Sequence, residues 1–212
     1  MVKPGNADCR YGVVPVGPYC VNSVVLWRDA SMCLLVDPGL DADCLMAFMS
    51  GKGLSPGAIL LTHCHFDHIG AIPALRAAFP AVPIYAHPAD WPMFGHPMNC
   101  LPPDYPLFPA PGNVLDVRNA TRDFPEFGLE IIETPGHTPG SVCIRCGELL
   151  LSGDTLFAGS CGRTDFPGGS MAEMRKSLAA LAMLPDGLEV VPGHGETTTI
   201  GREKAGNPFM VR

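Results

Sequence analysis

Thr62-His63-Cys64-His65-Phe66-Asp67-His68 packs three of the chain's seven histidines and a carboxylate into six positions, directly after the apolar run Ala58-Ile59-Leu60-Leu61. Imidazoles and a carboxylate at the end of a buried strand are costly to desolvate unless they are paired, and a bound metal is the commonest compensation. In extended chain, residues two apart point the same way, so His63 and His65 can chelate one ion. Asp67 and His68, at the turn into the following segment, are directed elsewhere and can serve a second.

The rest of the chain leads to the same kind of chemistry. Leu129 to Glu133 runs into His137, Glu148 to Ser152 into Asp154, and Leu188 to Val191 into His194, so four strand ends carry five histidines and two aspartates. The late ligands are flanked by glycine and proline, as in Pro135-Gly136-His137-Thr138-Pro139-Gly140 and Pro192-Gly193-His194-Gly195, which fixes the loops and lets backbone approach closely. Ligands gather at the carboxyl ends of strands in open sheets, so one shared rim is expected. Asp154 has two oxygens and can bridge two ions. Seven donors are too many for one tetrahedral metal and suit two with a bridging water. His87 and His96 match no ligand pattern and read as ordinary polar residues or pocket lining.

Composition narrows the function class. The chain has 212 residues, is 47% apolar and carries a net charge of -7, which suits a single domain, 1–212, and disfavours nucleic acid or an anionic membrane as a partner. No run of about 18 apolar residues spans a bilayer, and Met1-Val2-Lys3-Pro4-Gly5-Asn6 lacks a signal-peptide core, so a cytoplasmic location is expected. The nine cysteines are odd in number and irregular in spacing, and read as reduced, mostly buried small hydrophobes. Cys64 points away from its neighbouring ligands by alternation. Cys143 and Cys146 lie in one strand with no second pair, and Cys161 sits in a glycine-rich loop beside Arg163.

In chain order, a Gly- and Pro-rich opening precedes strands at Val24 to Trp27 and Cys33 to Val36, joined by a turn at Arg28-Asp29-Ala30-Ser31. A helix from about Asp41 to Ser50 leads to the strand Ala58 to Leu61. A second helix is expected from Ile69 to Phe79, with Pro73 tolerated in its first turn. Residues 80–111 hold 10 of the 23 prolines and read as a surface excursion around a short strand, Ile84-Tyr85-Ala86, that could form a pocket wall or lid. Strands follow at Leu129 to Glu133, Ser141 to Cys146 and Glu148 to Ser152, then a Gly-rich loop from Gly159 to Gly169. Ser170 with Glu173 forms a capping-box signature for a helix to Leu184, and Leu188 to Val191 is the last strand. The two halves repeat a theme that suggests two sheets packed face to face with helices outside.

The H-x-H-x-D-H run, followed in order by His137, Asp154 and His194, resembles the metallo-β-lactamase-fold hydrolases over nearly the whole chain. That resemblance implies an α/β fold, a four-layer αββα sandwich with metals at one edge between the sheets. It implies that His63, His65 and His137 bind a first divalent metal, that Asp67, His68 and His194 bind a second, and that Asp154 bridges them. Asp37, in Leu35-Val36-Asp37-Pro38-Gly39, matches a family aspartate behind the metals. Zinc is the expected metal, and the nitrogen and oxygen donors also admit iron or manganese.

Within the family, Ser152-Gly153-Asp154-Thr155-Leu156-Phe157, Gly162-Arg163-Thr164-Asp165-Phe166-Pro167 and Asn207-Pro208-Phe209 look like the short bacterial glyoxalase II-like hydrolases. The resemblance implies hydrolysis of a small-molecule thioester such as S-lactoylglutathione by a metal-bridging hydroxide, with Asp67 orienting or deprotonating the water and Arg163 binding a substrate carboxylate. Only 18 residues follow His194, too few for the helical substrate domain of full-length glyoxalase II, and tyrosines expected near Asp165 and Glu196 are absent. These departures fall on the positions that grip glutathione and not on those that cleave the thioester. The alternative is a persulfide dioxygenase, which shares the fold and the Gly-Cys-Gly-Arg-Thr-Asp-Phe type of loop but uses one iron held by two histidines and an aspartate. Nothing in the sequence reads out the oligomeric state.

Overall fold

The computed structural model describes residues 2–4, 9–29 and 31–210; Ala30 of the first turn lies outside them. The amino-terminal sheet has seven strands in sequence order: β1 (Val2–Pro4), β2 (Arg10–Val16), β3 (Val21–Trp27), β4 (Met32–Val36), β5 (Ser55–Leu60), β6 (Ile84–Ala86) and β7 (Val114–Asp116). Its first four strands are antiparallel and the rest run parallel to β4. The second half adds β8 (Leu129–Glu133), β9 (Val142–Cys146), β10 (Leu149–Gly153), β11 (Leu156–Phe157), β12 (Ser160–Cys161), β13 (Glu189–Pro192) and β14 (Thr198–Thr199). Five of these form a second sheet in the order β14-β13-β10-β9-β8, and β11 pairs with β12 as a separate ribbon. The helices are α1 (Ala42–Ser50), α2 (Phe66–Ile69), α3 (Ile72–Ala78), α4 (Ala120–Asp123), α5 (Met171–Leu181) and α6 (Ile200–Gly206).

Strand alternation divides the apolar residues into three cores and so produces four layers. Val24, Leu26, Leu34, Val36, Ala58 and Leu60 face across to Ile144, Leu149, Leu151 and Val191 of the second sheet. Their neighbours Val25, Cys33, Leu35 and Ile59 point outward to Leu45 and Met49 of α1 and to Ile72 and Leu75 of α3. On the far side Cys143, Leu150 and Val190 pack under Met174, Leu178 and Leu181 of α5 and Ile200 of α6. This is the expected αββα sandwich. Cys64 packs within the outer core of the first half, as alternation predicts, and Cys143 and Cys146 fall in different cores because three steps along a strand reverse the face. All nine cysteines are free; five are buried, but Cys20 and Cys44 are exposed.

The structure departs from the sequence reading in several elements. The opening segment forms the full strand β2, whose Gly12 and Pro15 suggest a loop, because pairing with β3 along seven residues outweighs local propensity. The helix expected from Ile69 to Phe79 is shorter: Ile69 closes the separate turn α2, and the helix proper is α3, Ile72–Ala78. Gly70 lies between them so close to Gly39 that a Cβ there would stand 2.1 Å from the Gly39 carbonyl oxygen. Strands β7 and β14 and helix α6 carry too little periodicity to be found in isolation. The Gly-rich loop contains β12, and the proline-rich excursion a 3-10 turn at Pro88–Met93. Half of the capping box forms: the Ser170 side chain accepts the Glu173 amide at 3.3 Å, while the Ser170 amide donates to the Gly136 carbonyl and Glu173 turns to Lys176. Among the described residues no helix is long and apolar enough to cross a membrane.

Ser170→Ala removes the cap of the helix that seals the second outer core. We expect a loss of about 1 kcal/mol in stability, read from the urea midpoint, with metal content unchanged.

Candidate metal centre

The carboxyl ends of β4, β5, β8, β10 and β13 open on one rim between the sheets, and each delivers a polar side chain there. Asp37 follows β4, His63 and His65 follow β5, Asp67 and His68 lie in the first turn of α2, and His137, Asp154 and His194 follow β8, β10 and β13. The structure brings all seven expected ligands together. Donor atoms of His63, His65 and His137 lie within 4.8 Å of one another, as do those of Asp67, His68 and His194. Asp154 stands between the groups, its oxygens 3.4 Å from His68 Nε2, 3.5 Å from His137 Nε2 and 3.6 Å from His194 Nε2.

Hydrogen bonds behind the rings determine which nitrogen faces inward. His137 Nδ1 lies 2.7 Å from the Arg163 carbonyl and His194 Nδ1 2.9 Å from the Tyr19 carbonyl. A carbonyl only accepts, so both rings carry their proton on Nδ1 and turn a lone pair on Nε2 into the centre. His68 Nδ1 donates to the Asp37 carboxylate at 3.1 Å, so its Nε2 also faces the centre. The Thr62 hydroxyl donates to Asp37 at 2.6 Å, leaving its oxygen to accept from His63 Nδ1 at 3.1 Å. His65 differs, presenting Nδ1 only 2.7 Å from His137 Nε2.

A metal fits these residues on several grounds. His63 Nε2 and Asp154 Oδ1 are buried without a hydrogen-bond partner, a cost that coordination removes. The space is kept open by backbone: a Cβ on Gly193 would stand 2.2 Å from Asp154 Oδ1 and 2.8 Å from His68 Cε1. The donors are imidazole and carboxylate only, a set that suits zinc, iron or manganese.

Electrostatics separate the two groups. Complete burial, with His68, His137 and His65 nearby, pushes His63 well below the ordinary imidazole range, and burial together with His137 takes His65 down to about 3. These rings stay neutral and available to a cation. Burial also opposes charge on His68, but Asp154, Asp67 and Asp37 outweigh it and hold its pKa well above the ordinary value. His194 is raised in the same contest through Asp67 and Asp154. Asp67 and Asp154 are lowered because His68, foremost among the charged partners, overcomes their own burial.

Sequence reasoning missed the braces behind the first group. Asp90, buried in the 3-10 turn of the proline-rich segment, accepts the Cys64 amide at 3.1 Å, the Thr138 hydroxyl at 2.8 Å and the Gly140 amide at 2.7 Å. It ties the His63-Cys64-His65 loop to the His137 loop. Asn99 accepts the Phe66 amide at 2.9 Å and donates to the Cys64 carbonyl at 2.8 Å. No local signal distinguishes either residue, since the ligand-loop groups they brace lie 26 to 50 positions away. His87 accepts the Ala89 amide at the start of the turn, and His96 lines a cleft beside His65. The Arg163 guanidinium is exposed, pairs with both oxygens of Asp165 at 2.7 Å and lies 3.8 Å from the Phe166 ring centre. The Cys161 thiol is half-buried, and burial raises its pKa, which keeps it protonated.

Residues 16–194 match the profile of the metallo-beta-lactamase superfamily. The chain is 33% identical over 212 residues to a hydroxyacylglutathione hydrolase, GloC, of Haemophilus influenzae, an alignment covering 93% of this chain and 96% of that one. It superposes with a TM-score of 0.84 on the crystal structure of BLEG-1 B3 metallo-beta-lactamase, at 35% identity over 95% of this chain and 100% of the other. The crystal structure of TTHA1623 in a di-iron-bound form gives a TM-score of 0.82 at 37% identity, covering 93% and 99%.

Two outcomes follow from this geometry. Asp90→Ala is expected to weaken metal binding at the His63, His65 and His137 group by about ten- to a hundredfold, measured by chelator competition. Because a cation must displace protons from the raised His68 and His194 but not from the neutral His63 and His65, lowering the pH from about 8 to about 6 should strip metal first from the Asp67, His68 and His194 group. Metal content after dialysis across that range checks the order.

Proposed function

This protein belongs to the metallo-beta-lactamase superfamily, and we propose that it is a binuclear metallohydrolase that cleaves a thioester. The observation that carries the reading is the pair of three-residue donor groups with Asp154 between them. Similarity to a hydroxyacylglutathione hydrolase over nearly the full length of both chains supports the substrate class. Two bound divalent ions, zinc by preference, supply an activated water near neutral pH and polarise the scissile carbonyl.

The chain's own residues prepare that chemistry. His63, His65 and His137 would hold one ion and Asp67, His68 and His194 the other, with the Asp154 carboxylate placed between the two groups. The Asp67 carboxylate, 3.3 Å from His194 Nε2 and partly exposed, stays ionised and orients the attacking water or takes its proton. A thiolate leaving group needs little help from an acid, because a thiol's pKa is only ~8.5, and no general acid is assigned. Arg163 reaches a substrate carboxylate only by releasing Asp165.

Metal analysis combined with a thiol-release assay on S-lactoylglutathione and other thioesters tests the reading, with a chromogenic cephalosporin as a control. About two metals per chain and thiol release abolished by a chelator are expected, and Asp67→Ala should lower kcat/KM by roughly a hundredfold or more. A single tightly held iron with oxygen uptake on glutathione persulfide would instead establish the dioxygenase, and lactam cleavage without thiol release would replace the substrate class.

A further inference from the structure

The cleft beside His65 has a volume of about 210 Å³. Apolar side chains dominate its lining: Phe66, Pro92, Met93, Met98, Phe166 and Pro167. Several stay in water at a cost, with Met98 72% exposed and Phe166 38% exposed. The cleft is continuous with the metal centre, because His65 forms part of its wall and Phe166 packs edge-on against that ring at 5.6 Å.

Asn99, a buried amide of the lining, is already engaged. Asn99 directs its amide group at the carbonyls of Cys64 and Met93 and its oxygen at the Phe66 amide. His96 Nδ1 accepts the Met98 amide. Arg163, stacked on the lining residue Phe166, is paired with Asp165. His96 Nε2 is left as the one free donor of that ring, so a charged or strongly hydrated group placed here would exchange its water for few partners, whereas an apolar group gains from every buried methylene.

From this wall we infer that the thioester taken by this protein has an uncharged, apolar acyl group, a chain of about six to eight carbons or an aryl ring, seated against Met93, Met98 and Phe166. The size follows from comparison with an apolar cavity of about 150 Å³, which holds a benzene ring. The inference rests on the thioester reading above and names the substrate within it.

The test is a series of acetyl, butyryl, hexanoyl, octanoyl and benzoyl thioesters, each made on both N-acetylcysteamine and glutathione, assayed with the metal-loaded protein beside S-lactoylglutathione. We expect kcat/KM to rise with chain length by up to about fourfold per methylene and by at least tenfold from acetyl to hexanoyl, whichever thiol is used. Dissociation constants of non-hydrolysable S-alkyl-N-acetylcysteamine thioethers, measured by calorimetry with and without metal, should fall along the same series. Met98→Ser, at an exposed position, and Phe166→Ala should each flatten the hexanoyl-to-acetyl ratio, a quantity from which any general loss of active protein cancels. Thiol release that is flat or falling with chain length, or fastest on S-lactoylglutathione, would overturn the acyl assignment and leave the thioester reading standing. Release from none of them would overturn both.

Discussion

The carboxylate of Asp37 is the contact on which the centre depends. It accepts the Thr62 amide at 2.7 Å and the Thr62 hydroxyl at 2.6 Å, and it meets His68 Nδ1 at 3.1 Å. The same hydroxyl backs His63, and the Thr62 carbonyl accepts the Val142 amide from the second sheet. One buried carboxylate therefore fixes the ends of two parallel strands, orients one histidine from each donor group and anchors the seam between the sheets. It does so from a left-handed backbone conformation, φ 48°, which an aspartate tolerates better than most residues. Strain of this kind persists where the surroundings over-determine it, and here the Ser23 hydroxyl also holds the Asp37 carbonyl.

A second joint closes the rim on the opposite side. The Asn22 amide donates to the Gly193 carbonyl, the Asn22 side chain reaches the carbonyls of Pro192 and Gly195, and the Tyr19 carbonyl sets the tautomer of His194. The loop between β2 and β3 and the start of β3, which contribute none of the seven expected ligands, thus position a donor from far along the chain. Preorganisation of this sort holds the neutral rings of His63 and His65, and the imidazoles of His68 and His194 beside ionised carboxylates, in place before any cation arrives.

Much of this was legible in the sequence because it depends on short-range pattern. Strand alternation sorted residues such as Leu34 and Leu35 into different cores, and the fixed spacing of His63, His65, Asp67 and His68 followed one apolar strand. Elements defined by long-range pairing were not legible. Strand β2 exists because β3 lies beside it, and α6 because Ile200 fills the core under Val190 and Leu150. The tail residue Asn207 carried resemblance without a reason; its side chain donates to the carbonyls of Phe157 and Ser160, holding the β11-β12 ribbon beside Glu203. Arg163 is the reverse case, where residue type suggested a free cation and Asp165, two positions on, engages it.

The proline-rich segment divides its labour by residue. Asp90 and Asn99 turn inward to grip the backbone of the first ligand loop, while Met93, His96 and Met98, interleaved between them, face the cleft. Prolines on either side, and the 3-10 turn that carries Asp90 and Met93, hold both sets in place. Selection can therefore redraw the cleft wall one side chain at a time while the grip on the metal loop stays intact, so specificity and metal geometry can diverge at different rates within a single stretch of chain.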